Sequence, residues 1–269
     1  MTDLPDPARW FDLSGRAALV TGGGRGIGAA IALAFAGAGA DVAVTARTAA
    51  EVEAVAAEVR AYGRRALALP ADVSDLGRLA GLIDATVAEF GRLDILVNNA
   101  GGSRSYPILD TTVDHLRDGL QFNVLAPFEL SRLAVPHLLE HEGASIINIS
   151  SMVSRNAPKA TLVHGTTKAA LSHMTRLMAT DLAPRIRVNA ILPGAIETAA
   201  LKSWLATLDP ESRAMMFERT SMRRNGTPDD IAAAALYLAG SGAAWVTGKL
   251  LEVDGAVTTE IVPKDIPDL

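Results

Sequence analysis

Glycine dominates residues 21–28, which read TGGGRGIG. A short apolar run at residues 17–20 precedes this segment, and apolar residues at helical spacing follow it. Glycines let a backbone turn tightly and let a pyrophosphate approach without a Cβ in the way. A helix that starts behind the turn adds free N–H groups and a partial positive charge. The order of strand, glycine turn and helix therefore predicts a dinucleotide site, although glycine turns also serve as plain connections.

The charges around this turn bear on which dinucleotide binds. An acidic residue at the end of the second strand would bind a ribose 2′-hydroxyl and repel a 2′-phosphate. Here that position holds Ala46, followed by Arg47, and Arg25 lies inside the glycine turn. Two guanidinium groups without a carboxylate favour a 2′-phosphate, so the sequence predicts NADP(H) as the cofactor. The alternative is that both arginines are only solvated.

Strand-like and helix-like patterns alternate from residue 16 to about residue 257. The predicted strands are residues 17–20, 41–46, 65–69, 93–97, 145–149, 186–192 and 250–253. The predicted helices lie around residues 27–35, 52–59, 79–90, 112–141 and 167–182, with another that starts at residues 227–228. Ser74 is predicted to cap the third helix, and Pro127 and Pro136 to bend the fourth. This alternation predicts an α/β fold: a single-domain, Rossmann-type, doubly wound parallel sheet flanked by helices.

Length, charge and composition narrow the class of protein further. The 269 residues carry a formal net charge of −5 and include no cysteine, which excludes disulfides, thiolate catalysis and cysteine-bound metals. No apolar run approaches the ~20 residues of a membrane span, and the acidic balance argues against nucleic acid as a partner. We expect one dinucleotide-binding catalytic domain over residues 1–269, in the cytoplasm and without a catalytic metal. Within it, residues 1–12 form an N-terminal extension, residues 198–224 a substrate lid and residues 258–269 a C-terminal tail.

Taken together, the motifs resemble those of the short-chain dehydrogenases/reductases over almost the whole chain. The residues that carry the resemblance are residues 21–28, Asp72-Val73, residues 98–101 (NNAG), Asn123, Ser151, Lys168, Pro193-Gly194 and Thr198. The family implies a nicotinamide dinucleotide cofactor and hydride transfer to or from a carbonyl or alcohol carbon. It also implies a homotetramer, assembled through the helices at about residues 112–141 and 164–182.

The resemblance also implies which residues hold the cofactor. They are Thr21, Gly22, Gly24, Arg25, Gly26, Ile27, Gly28, Arg47, Asp72, Val73, Asn99, Ala100, Gly101, Lys168, Pro193, Gly194, Ile196 and Thr198. Asp72 would accept a hydrogen bond from the adenine amino group, and residues 98–101 would tie strand ends and let the cofactor lie close. Pro193 and Gly194, with Thr198, would cradle the nicotinamide. Each motif has a plainer alternative as a cap, an Asn/Gly turn or a strand-ending turn.

One catalytic position departs from the family pattern. In the family, a tyrosine four residues before the lysine exchanges a proton with the substrate oxygen, and here that position is His164. The other catalytic residues that the family implies, Asn123, Ser151 and Lys168, all match. Histidine is a common general acid and base, and its unperturbed pKa of about 6.5 suits proton transfer near neutrality. Its side chain reaches less far than a phenol, so a bridging water could fill the gap.

Three alternatives follow for the chemistry. His164 acts as acid and base, directly or through water; or the site binds the dinucleotide with little redox turnover; or another group such as Tyr106, near the rim of the pocket, delivers the proton. The expected partner is a small molecule with a carbonyl or alcohol group. Apolar lid residues such as Leu201, Met216 and Phe217 could contact it, or could equally pack the lid shut.

Overall fold

A parallel sheet forms the centre of the protein. The structure is a computed structural model that describes residues 6–206 and 209–257. The strands within these residues are β1 (Ala17–Thr21), β2 (Asp41–Ala46), β3 (Ala66–Pro70), β4 (Ile95–Asn98), β5 (Ala144–Ile149), β6 (Ile186–Pro193) and β7 (Leu250–Val253). They form one sheet, with all neighbours parallel, in the order β3-β2-β1-β4-β5-β6-β7. The predicted doubly wound α/β fold is confirmed, and its strand order reverses between β1 and β4.

Helices cover both faces of this sheet. They are α1 (Gly26–Gly37), α2 (Ala49–Ala61), α3 (Leu79–Phe90), α4 (Val113–Leu120), α5 (Ala126–Leu138), α6 (Leu162–Leu182), α7 (Ala199–Leu205), α8 (Pro210–Glu218) and α9 (Pro228–Ala239). On one face, α1, α2 and α9 pack on the sheet through residues such as Phe35 and Ile231. On the other face, α3, α5 and α6 contribute Leu82, Leu130 and Ala179 to a second core.

The first strand shows why these apolar runs become buried strands. Ala18 and Val20 belong to the core on one face of the sheet, whereas Ala17 and Leu19 belong to the core on the other face. Successive side chains of a strand point to opposite faces. A continuous apolar run is therefore typical of a strand that helices cover on both sides.

The start of α3 differs from the prediction. Ser74 is not an N-cap, because its hydroxyl donates a hydrogen bond to Asp72 Oδ1 at 2.7 Å. Asp75 is the cap instead, and its Oδ1 accepts from the N–H of Gly77 at 3.2 Å. It begins a 3-10 turn at Leu76–Arg78 that leads into α3.

The start of α6 also differs from the prediction. The helix expected at residues 167–182 begins five residues earlier, at Leu162. Val163 and Thr167, one turn apart, are both buried, so packing stabilises these first turns. His164 therefore lies in the first turn of a helix, and not in the loop before it.

The long helical region contains a π turn. α4 continues into a π turn at Gln121–Leu125, and α5 follows directly. Pro127 lies in the first turn of α5 and Pro136 inside its last turns, so the break in α-helical pattern precedes both prolines. The π turn was not predicted, because it inserts one residue without needing proline. The bends at Pro127 and Pro136 stay predictions. The inserted turn carries Asn123.

The predicted lid includes α7 and α8.

Some parts of the chain lie outside the described residues. They are residues 1–5, residues 207–208, the predicted tail at residues 258–269 and the side chains of Ala200, Trp204 and Ser212. In the predicted N-terminal extension, Pro7–Trp10 forms a 3-10 turn. No helix among the described residues is long and apolar enough to cross a bilayer.

Candidate active site

A cleft of about 470 Å³ opens at the carboxyl ends of the central strands, beside the point where the strand order reverses. Ligands of open α/β sheets bind at such a position. The predicted residues that line it are Gly22, Gly24, Arg25, Gly26, Ile27, Arg47, Asp72, Val73, Asn99, Ala100, Gly101, Ser151, His164, Lys168, Pro193, Gly194, Ile196 and Thr198. Three further predicted residues, Thr21, Gly28 and Asn123, lie behind its wall.

The glycine turn after β1 depends on glycine at two positions. Gly22 has a φ of +62°, in the left-handed region that favours glycine. A Cβ on Gly28 would collide with the carbonyl oxygen of Gly22, so only glycine lets α1 approach the turn this closely. The first turn of α1, from Gly26, is thereby held at the cleft, where its free N–H groups can meet an anion.

Hydrogen bonds tie the ends of β1 and β4 together beneath the cleft. Thr21 Oγ1 accepts from the backbone N–H groups of Asn99 and Ala100, each at 3.0 Å, and donates to the oxygen of Val97 at 3.2 Å. Asn99 Nδ2 donates to the oxygens of Thr21 at 2.9 Å and Gly22 at 3.1 Å. Thr21 therefore supports the cleft from behind, and Asn99 fixes the glycine turn.

A second chain of buried polar groups was not found from the sequence. Asn98 Nδ2 donates to Ser131 Oγ at 3.0 Å and to Asn148 Oδ1 at 2.8 Å, and Asn148 Nδ2 donates to Thr175 Oγ1 at 2.9 Å. The chain links β4, β5, α5 and α6 below the cleft. Its signal in the sequence is an asparagine inside an apolar strand, because a buried amide requires partners.

Ser151, His164 and Lys168 bring three polar groups to the same cleft. Ser151 follows β5 and caps a short 3-10 turn, where its hydroxyl accepts from the N–H of Val153 at 3.3 Å. His164 and Lys168 are four residues apart on α6, so they share one face of the helix. A hydroxyl, an imidazole and an ammonium can together bind a substrate oxygen and exchange a proton with it.

Lys168 is buried, and its ammonium has a fixed partner. Nζ donates a hydrogen bond of 2.7 Å to the oxygen of Ile149. Burial lowers the pKa of Lys168 from 10.5 to about 8, because desolvation disfavours the charged form. This lysine can therefore change its charge close to neutral pH.

The π turn between α4 and α5 places Asn123 behind residues 101–102. Asn123 Oδ1 accepts from the N–H of Gly102 at 2.8 Å, and its Nδ2 donates to the oxygens of Gly102 and Gly119, each at 3.1 Å. Asn123 is completely buried. It shapes the backbone beside Lys168 without lining the cleft itself.

Pro193, Gly194 and Thr198 form the opposite wall. Gly194 packs so closely on Asp254 that a Cβ would lie 2.8 Å from the Asp254 Cα. A Cβ on Gly26 would lie 3.2 Å from Thr198 Cγ2, so the Thr198 side chain faces the glycine turn across the cleft. The end of β6 and the start of α1 thus enclose one end of the site between them.

Comparison with known proteins agrees with this geometry. Residues 22–258 match a protein-family model described as enoyl-(acyl carrier protein) reductase. An uncharacterised oxidoreductase of Mycobacterium tuberculosis is 50% identical over 260 residues, which cover 96% of this chain and 98% of the relative. The chain belongs to the short-chain dehydrogenase/reductase family. It is therefore an oxidoreductase by family.

Solved structures of the short-chain dehydrogenase/reductase family match over nearly the whole chain. A 7α-hydroxysteroid dehydrogenase, solved with NADH and 7-oxo glycochenodeoxycholic acid, matches with a TM-score of 0.90 at 39% identity, covering 96% of this chain and 100% of that chain. A short-chain dehydrogenase of Burkholderia cenocepacia, solved with NADP, matches with a TM-score of 0.82 at 36% identity, covering 92% of this chain and 99% of that one. Similar family members thus bind different nucleotides.

In this short-chain dehydrogenase/reductase, the end of the cleft near β2 carries acidic as well as basic groups. Arg25 Nη1 lies 3.6 Å from Glu51 Oε1. Hydrogen bonds from the side chain and backbone of Ser74 lower the pKa of Asp72, and the charge of Arg47 adds a smaller contribution. The sequence-based prediction of two arginines without a carboxylate at the 2′-phosphate is wrong, because Glu51 also lines the cleft beside Arg25, whereas Asp72 was expected in the site. The signal for Glu51 in the sequence is a carboxylate four residues after Arg47, in the first turn of α2.

The cleft of this family member fits a dinucleotide. Thr45 lines it and is completely buried, yet Thr45 Oγ1 has no hydrogen-bond partner in the described part of the chain. Buried hydroxyls are nearly always partnered, so a bound ligand would satisfy this one. The glycine turn and the first turn of α1 suit a pyrophosphate. Among residues 6–206 and 209–257, no group of three or more metal-ligating side chains could hold a metal ion.

Tyr106 lies in a neighbouring cavity of about 330 Å³. Its ring stacks on the ring of His115, with centroids 4.0 Å apart and an angle of 8° between the planes. Tyr106 does not line the cleft of Ser151 and Lys168. This arrangement favours a packing role for Tyr106 over proton delivery.

Proposed function

We propose that the chain is an NADP(H)-dependent oxidoreductase that transfers a hydride between the nicotinamide and a carbonyl or secondary alcohol carbon, with His164 as the acid and base. The observation that carries the proposal is that His164 lines the same cleft as Ser151 and Lys168, one helical turn before the lysine. A group at that place can exchange a proton with an oxygen that Ser151 binds.

Each of the three catalytic residues has one role in this proposal. A bound nicotinamide would supply the hydride in reduction and accept it in oxidation. Ser151 Oγ donates a hydrogen bond to the substrate oxygen, and His164 gives a proton to that oxygen in reduction or removes it in oxidation. Both hydrogen bonds strengthen as negative charge develops on the oxygen. The Lys168 ammonium, whose pKa burial lowers to about 8, adds positive charge beside His164.

The short reach of an imidazole leaves a gap between His164 and the substrate oxygen. One bridging water can carry the proton across this gap, which keeps His164 competent for catalysis. The same gap supports a second candidate function. If no water bridges the gap, the chain is a dinucleotide-binding relative with little redox turnover. Turnover of a carbonyl, and not cofactor binding, distinguishes the two candidates.

The nucleotide is proposed to be NADP(H) because Arg25 and Arg47 both line the cleft. A guanidinium forms paired, charge-assisted hydrogen bonds to a phosphate. The Burkholderia cenocepacia relative, solved with NADP, supports this choice, and the hydroxysteroid dehydrogenase, solved with NADH, supports the alternative.

The substrate is proposed to be an apolar carbonyl compound or its alcohol. Within the predicted lid, Met216 is buried and packs the lid, whereas Phe217 is exposed and available to an apolar substrate. A cyclic ketone of the kind bound by the hydroxysteroid dehydrogenase, 7-oxo glycochenodeoxycholic acid, is the first compound to test.

Assembly as a homotetramer is part of the same proposal. Large apolar side chains on the helices expected at the subunit contacts are exposed in the single chain, among them Val113, Phe128 and Leu177. Contacts between copies through these helices would cover them. The cytoplasmic location stays a prediction.

Single-turnover absorbance of bound NADPH tests the proposed function. The protein is mixed with 7-oxo bile acids and simple cyclic ketones, and loss of the reduced nicotinamide signal is expected. Tight NADPH binding with no oxidation by any of these carbonyls would favour the second candidate, as would a large gain in rate for His164→Tyr.

A further inference from the structure

Glu51 places a carboxylate where the 2′-phosphate of NADP(H) is proposed to bind. It lies in the first turn of α2 and lines the cleft together with Arg25 and Arg47. Its Oε1 is 3.6 Å from Arg25 Nη1. A Cβ on Gly24 would lie 2.9 Å from Glu51 Cβ and 3.4 Å from Glu51 Oε2. The carboxylate thus lies against the glycine turn.

The formal charges at this end of the cleft balance. Arg25 and Arg47 contribute two positive charges, and Glu51 and Asp72 contribute two negative charges. A phosphate monoester carries about two negative charges at neutral pH, so it is repelled by these carboxylates as well as attracted by the arginines. A ribose 2′-hydroxyl is uncharged and can donate a hydrogen bond to a carboxylate. The carboxylates therefore favour NAD(H) while the arginines favour NADP(H).

We infer that Glu51 is a specificity-determining residue, because its carboxylate competes with the 2′-phosphate for Arg25. Glu51 thereby reduces the preference for NADP(H) over NAD(H) that the two arginines alone would produce. This inference rests on the proposed function, because it concerns the same nucleotide site. Asp72 is not the equivalent residue, since its Oδ1 already accepts from the backbone and hydroxyl of Ser74.

The geometry of the ion pair supports competition over positioning. A carboxylate that oriented Arg25 would hold it by short hydrogen bonds, of about 2.7–2.9 Å. The distance here is 3.6 Å, and the side chains of Arg25 and Glu51 are 71% and 35% exposed. Exposed pairs of this kind fix neither partner firmly. A 2′-phosphate can therefore displace Glu51 from Arg25, and the nearby carboxylate weakens that contact without abolishing it.

Two ligand fragments measure the effect of Glu51 on the 2′-phosphate directly. Adenosine 2′,5′-bisphosphate and AMP differ only by that phosphate, and their dissociation constants can be measured by calorimetry. Glu51→Gln is expected to tighten binding of the bisphosphate by about threefold to tenfold and to change binding of AMP by less than about twofold. The gain should shrink as the salt concentration rises.

Glu53→Gln is the matched control. Glu53 lies on the same helix, pairs with Arg60 at 2.7 Å and does not line the cleft. It should leave both dissociation constants unchanged. Weaker or unchanged binding of the bisphosphate by Glu51→Gln, or an equal change for both ligands, would overturn the inference.

A double substitution tests the route through Arg25. In an Arg25→Gln background, the gain from Glu51→Gln is expected to shrink, because there is no guanidinium left to release. An undiminished gain would contradict competition for Arg25. Both fragments lack a nicotinamide, so these results are independent of hydride transfer: failure of carbonyl turnover would refute the proposed function and leave the Glu51 result standing.

Discussion

Lys168 and Asn123 meet at the backbone of Gly101. Lys168 Nζ and Asn123 Oδ1 each lie 2.8 Å from the position that a Cβ on Gly101 would take. An ammonium and an amide therefore fill the space that a side chain would need. Gly101 therefore contributes only backbone to the lining of the cleft, beside Lys168, which lines the cleft, and Asn123, which does not.

Asn123→Ala should affect both stability and turnover. It removes the acceptor of the Gly102 N–H and two donated hydrogen bonds, so we expect the free energy of unfolding to fall by about 1–3 kcal/mol. The rate should also fall, because residues 101–102 lose their support beside Lys168. Urea denaturation and kcat measure the two effects. Gln121→Ala in the same π turn removes one hydrogen bond to Ser74 and is expected to leave kcat unchanged; equal rate losses in both variants would contradict this role of Asn123.

Ser151→Ala should reduce kcat and leave nucleotide binding nearly unchanged. Loss of one hydrogen bond to a developing oxyanion costs about 10²–10³ in rate. The measurements are kcat with a reducible ketone and the dissociation constant of NADPH. Ser154→Ala, in a residue that does not line the cleft, is the control. Similar kcat values for all three proteins would remove Ser151 from the chemistry.

Arg47→Gln should weaken NADPH binding by about tenfold and leave NADH binding nearly unchanged, because it removes one charge-assisted contact to the 2′-phosphate. Fluorescence titration with the two nucleotides checks this expectation. Arg60→Gln is the control, since Arg60 pairs with Glu53 away from the cleft. An equal loss for both nucleotides would argue against recognition of the 2′-phosphate by Arg47.

Stability should rise with pH through the titration of Lys168. Its pKa is about 8 in the folded protein and 10.5 as the ordinary value, so between these values the unfolded chain binds the proton that the folded protein has lost. The contribution of Lys168 to the free energy of unfolding therefore increases from about pH 8 to 10.5 and is constant below and above that window.

Lys168→Met removes this titration. The difference in free energy of unfolding between wild type and variant should grow in favour of the wild type by up to about 3 kcal/mol across the window. Urea denaturation at several pH values gives both curves. Parallel curves for the two proteins would show that burial does not perturb this lysine.

The sheet could be predicted from the sequence because buried parallel strands are apolar runs separated by helical patterns. The start of α6 was not, since Gly165, Thr166 and Thr167 have low helix propensity and only packing makes them helical. The π turn was missed for a different reason: it depends on one inserted residue, which leaves no mark in composition.

The cleft could be predicted from its glycines, asparagines and serine, which lie at strand ends, and from its lysine, which lies on α6. Glu51 was missed because it faces Arg25 on another element, and that contact depends on how α2 begins beside the glycine turn. Asn148 and Thr175 were missed for the same reason, as their hydrogen bond joins β5 to α6. Sequence motifs indicate which elements carry a site, whereas contacts between elements need the fold.

The most direct test of the central claim is single-turnover oxidation of NADPH bound to His164→Ala, at saturating ketone, with and without added imidazole. If His164 carries the proton, the rate should fall by about 10²–10⁴-fold, and added imidazole should restore part of it. NADPH affinity should be unchanged, and His173→Ala, an exposed histidine on the same helix, should behave as wild type. An undiminished rate in His164→Ala would contradict the account.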